Sequence, residues 1–445
     1  MTFSIPRFCA VAGAILLLNG YGGAQDTLRL RDAVIFALSN NPELRAMQYD
    51  RQISSNNVAP ARAGIGPRIV ANHQLYYGYG DATIATAGEG PPLEFTDNRH
   101  GISIRPEANW VVFDNGRGRA RLDKLRALDT STGLRIAGER ERTVAEVTRT
   151  YLRAARLRRQ LDLAAENIEL TAERLARAER DARYGGSTTL RRLQARVDLN
   201  QDSVAYRNLA LELANAKRQL NQLLGRDPAT RFALEQAPPL ASPLSRRLLY
   251  DRLMASNATL SVARQRLDLL LTDLVIAERA KGPTVQLYTA GVYQNVTDNT
   301  SFLQEQRYLG AEAGIRTSID LYDGGLRKLD RQNARLRLEQ GRRQLENTEL
   351  QLATTFQQQY ATYRNNLQQL RYERDNLATF ELNYRKSRED YRKSREDYRL
   401  GQVDGTVVRT AQVNLNEART RIALREFGVR QSEVNLLLLS GGLLK

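Results

Sequence analysis

Cysteine, histidine and proline are nearly missing from this chain of 445 residues, which holds one Cys, two His and 12 Pro. Cys9 lies inside a segment that reads as an export signal, so the mature chain would carry no thiol, which excludes disulfide and thiol chemistry. His73 and His100 both fall in candidate strands, and no spacing of His, Cys, Asp or Glu suits a metal or a catalytic constellation. No cofactor, no metal and no enzymatic activity are therefore expected. Aromatic residues are also few, at 7%. A continuous apolar run long enough for a membrane-spanning helix is absent, because Phe8 to Leu18 is too short to cross a bilayer.

What is present is charge and helix-forming side chains. Charged residues make up 26%, and Ala, Leu, Arg, Gln and Glu dominate long stretches, the composition of long helices rather than of a compact enzyme. Residues 1–24 read as a signal peptide, with Arg7 before the apolar core and Gly22, Gly23 and Ala24 offering a cleavage site before Gln25. The formal net charge is +16. Lys and Arg are interspersed with Asp and Glu along every helix rather than gathered in a patch, the pattern of solvated helix faces and not of a nucleic-acid binder.

The rest of the chain is written twice. "DARYGGSTTLRRLQARVDLN" from Asp181 and "DYRLGQVDGTVVRTAQVNLN" from Asp397 align at an offset of 216, with Gly185 on Gly401, Ala195 on Ala411 and Gly225 on Gly441. The same offset relates Asn41 and Pro67 to Asn257 and Pro283. The first repeat spans residues 25–225 and the second 245–441, joined by a linker over 226–244. In each, a helical run (Arg29 to Gly66, Arg246 to Gly282) ends at Gly-Pro, because proline cannot continue a helix. Pro67 and Pro283 are thus the helix-to-strand hinges. A strand pair follows, 68–80 with 101–113 and 284–296 with 307–322. Asp-x-Gly then turns the chain into a long helix, 116–184 or 325–399, of roughly 100 Å. A glycine turn reverses it into a last helix, 187–225 or 403–441. Helices of that length must pack side by side as coiled coil.

The strands alternate. In "HGISIRPEANWVVF", Ile102, Ile104, Ala108, Trp110 and Val112 share one face, and Ser103, Arg105, Glu107 and Asn109 the other. "LGAEAGIRTSIDLY" divides the same way. An ordinary half-buried sheet would alternate too, but helices this long cannot cover it. Alternation with a charged inner face is the signature of a transmembrane β-barrel wall. Tyr76, Tyr77, Tyr79 and Tyr293 at one end, and Trp110, Phe113 and Tyr322 at the other, suit its two aromatic girdles. Four strands leave open edges that a membrane forbids, so copies of the chain must pool them.

Duplicated halves, Gly-Pro before a strand pair, Asp-x-Gly after it and a glycine-bearing helical turn together resemble the TolC-like outer-membrane factors of Gram-negative bacteria. "LRDAVIFALSNNPELRAMQYD" is similar to that family's opening helix and "YRLGQVDGTVVRTAQVNL" to its periplasmic tip. The resemblance implies a fold of mixed α and β: a homotrimer with a 12-stranded barrel in outer-membrane lipid, continued by a coiled-coil helical barrel through the periplasm. It implies a passive exit duct for efflux, coupled to a periplasmic adaptor protein and an inner-membrane pump. The tips, Tyr184, Gly185, Gly186, Leu400, Gly401 and Gln402, would meet the adaptor. Positions that carry gate charges in the family's prototype hold Arg191, Val403, Val407 and Thr410 here, so the constriction would be held differently. The nearby candidates are Tyr398, Arg191, Arg192, Asp404 and Arg409, and the alternative for these charges is an ordinary coiled-coil surface. Type I protein secretion remains open as a function, as does, from another class, a structural periplasmic rod.

One feature distinguishes the halves. Tyr384 to Asp397 contains Tyr-Arg-Lys-Ser-Arg-Glu-Asp twice, and the long helix of the second repeat is one heptad longer than that of the first. Seven residues preserve the coiled-coil face, but the added helix, about 10 Å, calls for a break near the equator or a local bulge.

Overall fold

The computed structural model describes residues 27–84, 91–183, 189–235, 243–298, 305–396 and 405–444. The first repeat contains β1 (Thr27–Leu28), α1 (Leu30–Asn40), α2 (Pro42–Asn57), α3 (Pro60–Ala63), β2 (Arg68–Ile84), β3 (Leu93–Phe113), α4 (Arg117–Arg183) and α5 (Thr189–Leu223). After β4 (Ala233–Leu234), which pairs with β1, come α6 (Arg246–Ser256), α7 (Ala258–Arg279), β5 (Thr284–Asp298), β6 (Glu305–Ser318), α8 (Leu326–Glu396) and α9 (Gly405–Leu439).

The helical runs expected over 29–66 and 246–282 are broken, and the breaks are equivalent. Asn41 caps α2, accepting from the amides of Glu43 and Leu44 at 3.0 and 3.1 Å, while its Nδ2 donates to the Leu223 carbonyl at 2.8 Å. Asn257 caps α7 by accepting from Leu260 N at 2.9 Å, and its Nδ2 donates to the Leu439 carbonyl at 2.8 Å. Each asparagine thus satisfies orphan groups of two helices at once, the first amides of one and a last carbonyl of the other. It sets α5 end to end against α2, and α9 against α7. Replacing either asparagine by alanine should cost about 2 kcal/mol, read as a lower thermal midpoint of the detergent-solubilised protein.

The hairpins are coiled coils. In α8 and α9 the buried residues Phe356, Tyr363 and Leu370 face Ile422, Val429 and Leu436, each series stepping by seven. In α4 and α5, Ala154 and Leu157 meet Leu213 and Ala216. The second hairpin lies against the first through α4 and α9, where Ala145 and Leu152 pack on Val434. The tyrosines equivalent at offset 209 do the same work, Tyr151 donating to the Leu28 carbonyl at 2.9 Å and Tyr360 to that of Leu244 at 3.3 Å. α8 is one unbroken helix through the doubled heptad to Glu396, so it contains neither the equatorial break nor the bulge expected for the extra turns.

The four long strands form one antiparallel sheet in the order β2-β3-β5-β6, so the repeats join through β3 and β5. Three strands run longer than the expected 68–80, 101–113 and 284–296. β6 instead stops at Ser318, short of the expected 322, because its partner begins at Thr284, paired with Ser318, and Pro283 before it has no N–H to continue the ladder. The register places Ile69, Ala71, His73, Leu75, Tyr77 and Tyr79 on one face with Ile102, Ile104, Trp110, Leu287, Tyr293, Leu309 and Ile315. Tyr76 departs from the expected girdle. It lies on the polar face, where its ring covers Gly101 so closely that a Cβ there would sit 2.9 Å from it. On that face Arg105 pairs with Glu312 and with Glu107, and Gln286 donates to Asn109 at 3.0 Å.

Candidate functional site: the network between the two hairpins

Tyr184, Gly185, Gly186, Tyr398, Leu400, Gly401, Gln402 and Asp404 lie outside the described residues. Pro67 and Pro283 stand immediately before β2 and β5. Arg191 and Arg192 are exposed on the first turn of α5. Arg409 is elsewhere. It lies on α9 between the two hairpins, 3.9 Å from Asp198 and 3.2 Å from Asp202 of α5, and donates to Thr171 of α4 at 3.2 Å.

The three ionic side chains are only 16%, 20% and 14% exposed, which makes this a largely desolvated group rather than a surface pair. Thr171 donates to Asp202 at 2.6 Å, and Arg174 pairs with Asp198. Two cations, two carboxylates and a hydroxyl thus tie three helices, and charge-assisted bonds of this kind are strong because the surroundings screen them little. One step further from the tips, Gln412 and Asn416 of α9 both donate to Asn167 of α4 at 2.7 Å. Sequence reading singled out Arg409 and missed Thr171, Arg174, Asp198, Asp202 and Asn167. The spacing of Asp198 and Asp202, four apart and so on one face of α5, was the available signal.

Further from the tips, α9 carries a second charged group, Arg430 near Arg159 of α4 and Glu433 near Tyr363 of α8. Glu433 Oε1 and Arg430 Nε and Nη1 are buried without a hydrogen-bond partner. Burial pushes the Glu433 carboxyl above its ordinary value of 4.5, against the downward pull of Arg430. The folded chain then keeps a proton that the unfolded chain has released. This group's contribution to stability is therefore present at low pH and lost as pH rises from 4.5 through the raised value. Thermal unfolding followed across that window should show wild type losing stability relative to Glu433→Gln.

Among the described residues no helix is long and apolar enough to cross a membrane, and no group of three or more His, Cys, Asp or Glu could hold a metal ion. The continuous apolar surface is instead one face of a four-stranded sheet, set beyond two coiled-coil hairpins of duplicated sequence. Residues 36–226 and 249–442 match the outer membrane efflux protein family. The chain belongs to that family. Outer membrane efflux proteins sit in the outer membrane with a large periplasmic part, and they serve transport. Protein CyaE of Bordetella pertussis is 27% identical over 324 residues, covering 71% of this chain and 65% of that protein's length. The outer membrane efflux protein BepC of Brucella suis is 22% identical, over 76% of this chain and 72% of its own. The proteases secretion protein PrtF of Dickeya chrysanthemi is 22% identical, over 73% of this chain and 70% of its own. The fold is that of solved channels. The outer-membrane channel OprN superposes with a TM-score of 0.70 at 18% identity, over 93% of this chain and 90% of that one. CusC gives 0.71 at 18% identity, over 98% and 99%.

Proposed function

We propose that this outer membrane efflux protein is the exit duct of a tripartite efflux system. It acts as a homotrimer that passively conducts substrates, delivered by an inner-membrane pump through a periplasmic adaptor protein, across the periplasm and outer membrane. The observation that carries this reading is the sheet: one face apolar, the other charged, and both edges, β2 and β6, unpaired among the described residues. A bilayer does not tolerate open strand edges. Three copies pairing β6 to β2 would close a 12-stranded barrel, wider than the eight-stranded barrels whose interiors side chains fill. The helices support the same assembly. α5 and α8 lie at opposite ends of the order α5, α4, α9, α8, and each carries exposed apolar side chains in the part nearer the tips, Leu190, Leu193, Val197, Val204 and Leu211 on one, Tyr372 and Leu382 on the other. Each set fits the edge helix of a neighbouring copy.

Arg409 acts in this reading as a latch that holds the second hairpin to the first near the periplasmic entrance, with Asp198 and Asp202 as its catch. Protein secretion is the second reading, favoured by the similarity to PrtF, a proteases secretion protein. The test is fractionation followed by deletion. The chain should enter the outer-membrane fraction and migrate as a trimer that heating dissociates; a soluble periplasmic monomer would defeat the proposal. A deletion strain that accumulates ethidium supports efflux, and one that loses proteins from the culture medium supports secretion.

A further inference from the structure

Glycine is a poor strand former, with no side chain to pack and the most backbone freedom to lose. The polar face of the sheet nevertheless carries glycine inside its strands. Gly101 lies in β3, and β6 reads Tyr308, Gly310, Glu312, Gly314 and Arg316 along that face. Two common reasons for a strand glycine do not apply. None of the three has a positive φ. The pairing of β2 with β3 and of β5 with β6 runs through them without a shift, so they mark no bulge.

What the three share is a tyrosine. A Cβ on Gly314 would lie 2.8 Å from Cζ of Tyr288, its partner across the ladder. One on Gly310 would lie 2.7 Å from Cζ of Tyr308, two residues earlier on the same face. Tyr76 covers Gly101, its partner across the ladder, in the same way. The far end of each ring thus occupies the space that a side chain on the glycine would fill, so the ring lies along the sheet rather than standing out from it. Close approach of this kind is the remaining reason for glycine within a strand. The Arg316 guanidinium, 5.0 Å from the centre of the Tyr288 ring, adds a cation–π attraction that helps to hold it.

We propose that Gly101, Gly310 and Gly314 are seats that keep Tyr76, Tyr308 and Tyr288 flat on the inner wall of the barrel, and that these pairs set the largest solute the bore admits. In the exit-duct reading, on which this rests, the polar face is that inner wall and each pair recurs three times around it. A flat ring narrows the bore by its thickness, whereas a raised one narrows it by its length.

The test uses the full-length chain with Cys9→Ala, which removes its one cysteine, and Ser318→Cys as a reporter. Ser318 is exposed on the same face, on the helix side of all three rings. Intact cells are treated with a small maleimide and with maleimides on poly(ethylene glycol) of increasing mass, which reach the reporter from outside through the bore. Gly310→Ala and Gly314→Ala are the informative variants, because the three atoms nearest each new methyl all belong to a tyrosine ring. Gly101 is left alone, since a Cβ there would also meet the Asn295 carbonyl at 2.8 Å.

The two alanines together should abolish labelling by the largest reagent that the parent admits, with labelling by the small maleimide unchanged and the trimer still in the outer membrane. Adding Tyr288→Ser and Tyr308→Ser should restore entry, because no ring is left to rise. Should the paired alanines prevent assembly, each single alanine carries the same expectation for its own ring. Equal labelling with and without the alanines overturns the proposal. So does a loss that the serines fail to restore, or a parent trimer that admits no poly(ethylene glycol) reagent. A parent chain absent from the outer-membrane fraction defeats the exit-duct reading itself, and the bore-setting role with it.

Discussion

Valine at Gly225 or Gly441 is expected to abolish the heat-dissociable trimer, with each substitution costing about 3 kcal/mol or more. Both glycines follow the last turn of a return helix with positive φ, 69° and 64°. There the amides fold back to close the helix end: Gly225 N to Gln222 O at 2.9 Å and Arg226 N to Asn221 O at 3.1 Å, with Gly441 N to Leu438 O at 3.2 Å and Gly442 N to Leu437 O at 2.9 Å. A left-handed residue with a β-branched side chain is strained by its backbone alone. Space is also lacking, because a Cβ at Gly225 would land on the Asn40 carbonyl, and one at Gly441 on that of Ser256. These carbonyls belong to the residues just before the capping asparagines, so the side chain would force apart the end-to-end junction of α5 with α2 or of α9 with α7. The check is semi-native electrophoresis after stepwise heating. Wild-type migration by both variants would show that the junctions are not needed for assembly.

Arg409→Ala is expected to be the second large effect. Removing the cation leaves Asp198 and Asp202 largely buried, with Arg174 alone to offset them, and breaking a desolvated ion-pair group in this way costs about 3 kcal/mol. Arg409→Lys should recover only part of the loss, because an ammonium cannot span two carboxylates and a hydroxyl as the planar guanidinium does. Function should move in the opposite direction to stability. With the second hairpin freed from the first, single-channel conductance in planar bilayers should rise, and Asp198→Asn with Asp202→Asn should raise it as well. Destabilisation with unchanged conductance would make the group a structural tie and remove Arg409 from the gate.

The features legible in the sequence are those whose cause lies within a few residues. Gly-Pro keeps the helices from running into the strands, although α3 already ends at Ala63, capped by left-handed Gly64, and α7 at Arg279; Asp114 and Asp323 fold back on the amides of Gly118 and Gly325, and alternation along β3 and β6 needs only the pleat of a strand. The heptads of α8 and α9 are likewise periodic within one helix. The site was less legible. Arg409 stood out by its place near the tip, but its partners are 207 and 238 residues away, and no local pattern announces which face of α9 meets α5. Tyr76 was assigned to the wrong face because β2 alternates weakly, and only its pairing opposite Gly101 decides where the ring goes.

The sequence by itself determined the parts and their order: two repeats, each with a strand pair, a long helix and a return helix, and an extra heptad that keeps phase. Periodicity and chain-stiffening residues act locally, so they survive in one dimension. Only the tertiary structure decided how the repeats meet. The double-duty asparagines abut helices that the chain separates by 182 residues, and Arg419 of α9 bridges Glu166 of α4 and Glu381 of α8. Both are matters of register between elements, fixed by which side chains can satisfy one another across a contact and by nothing within either segment alone.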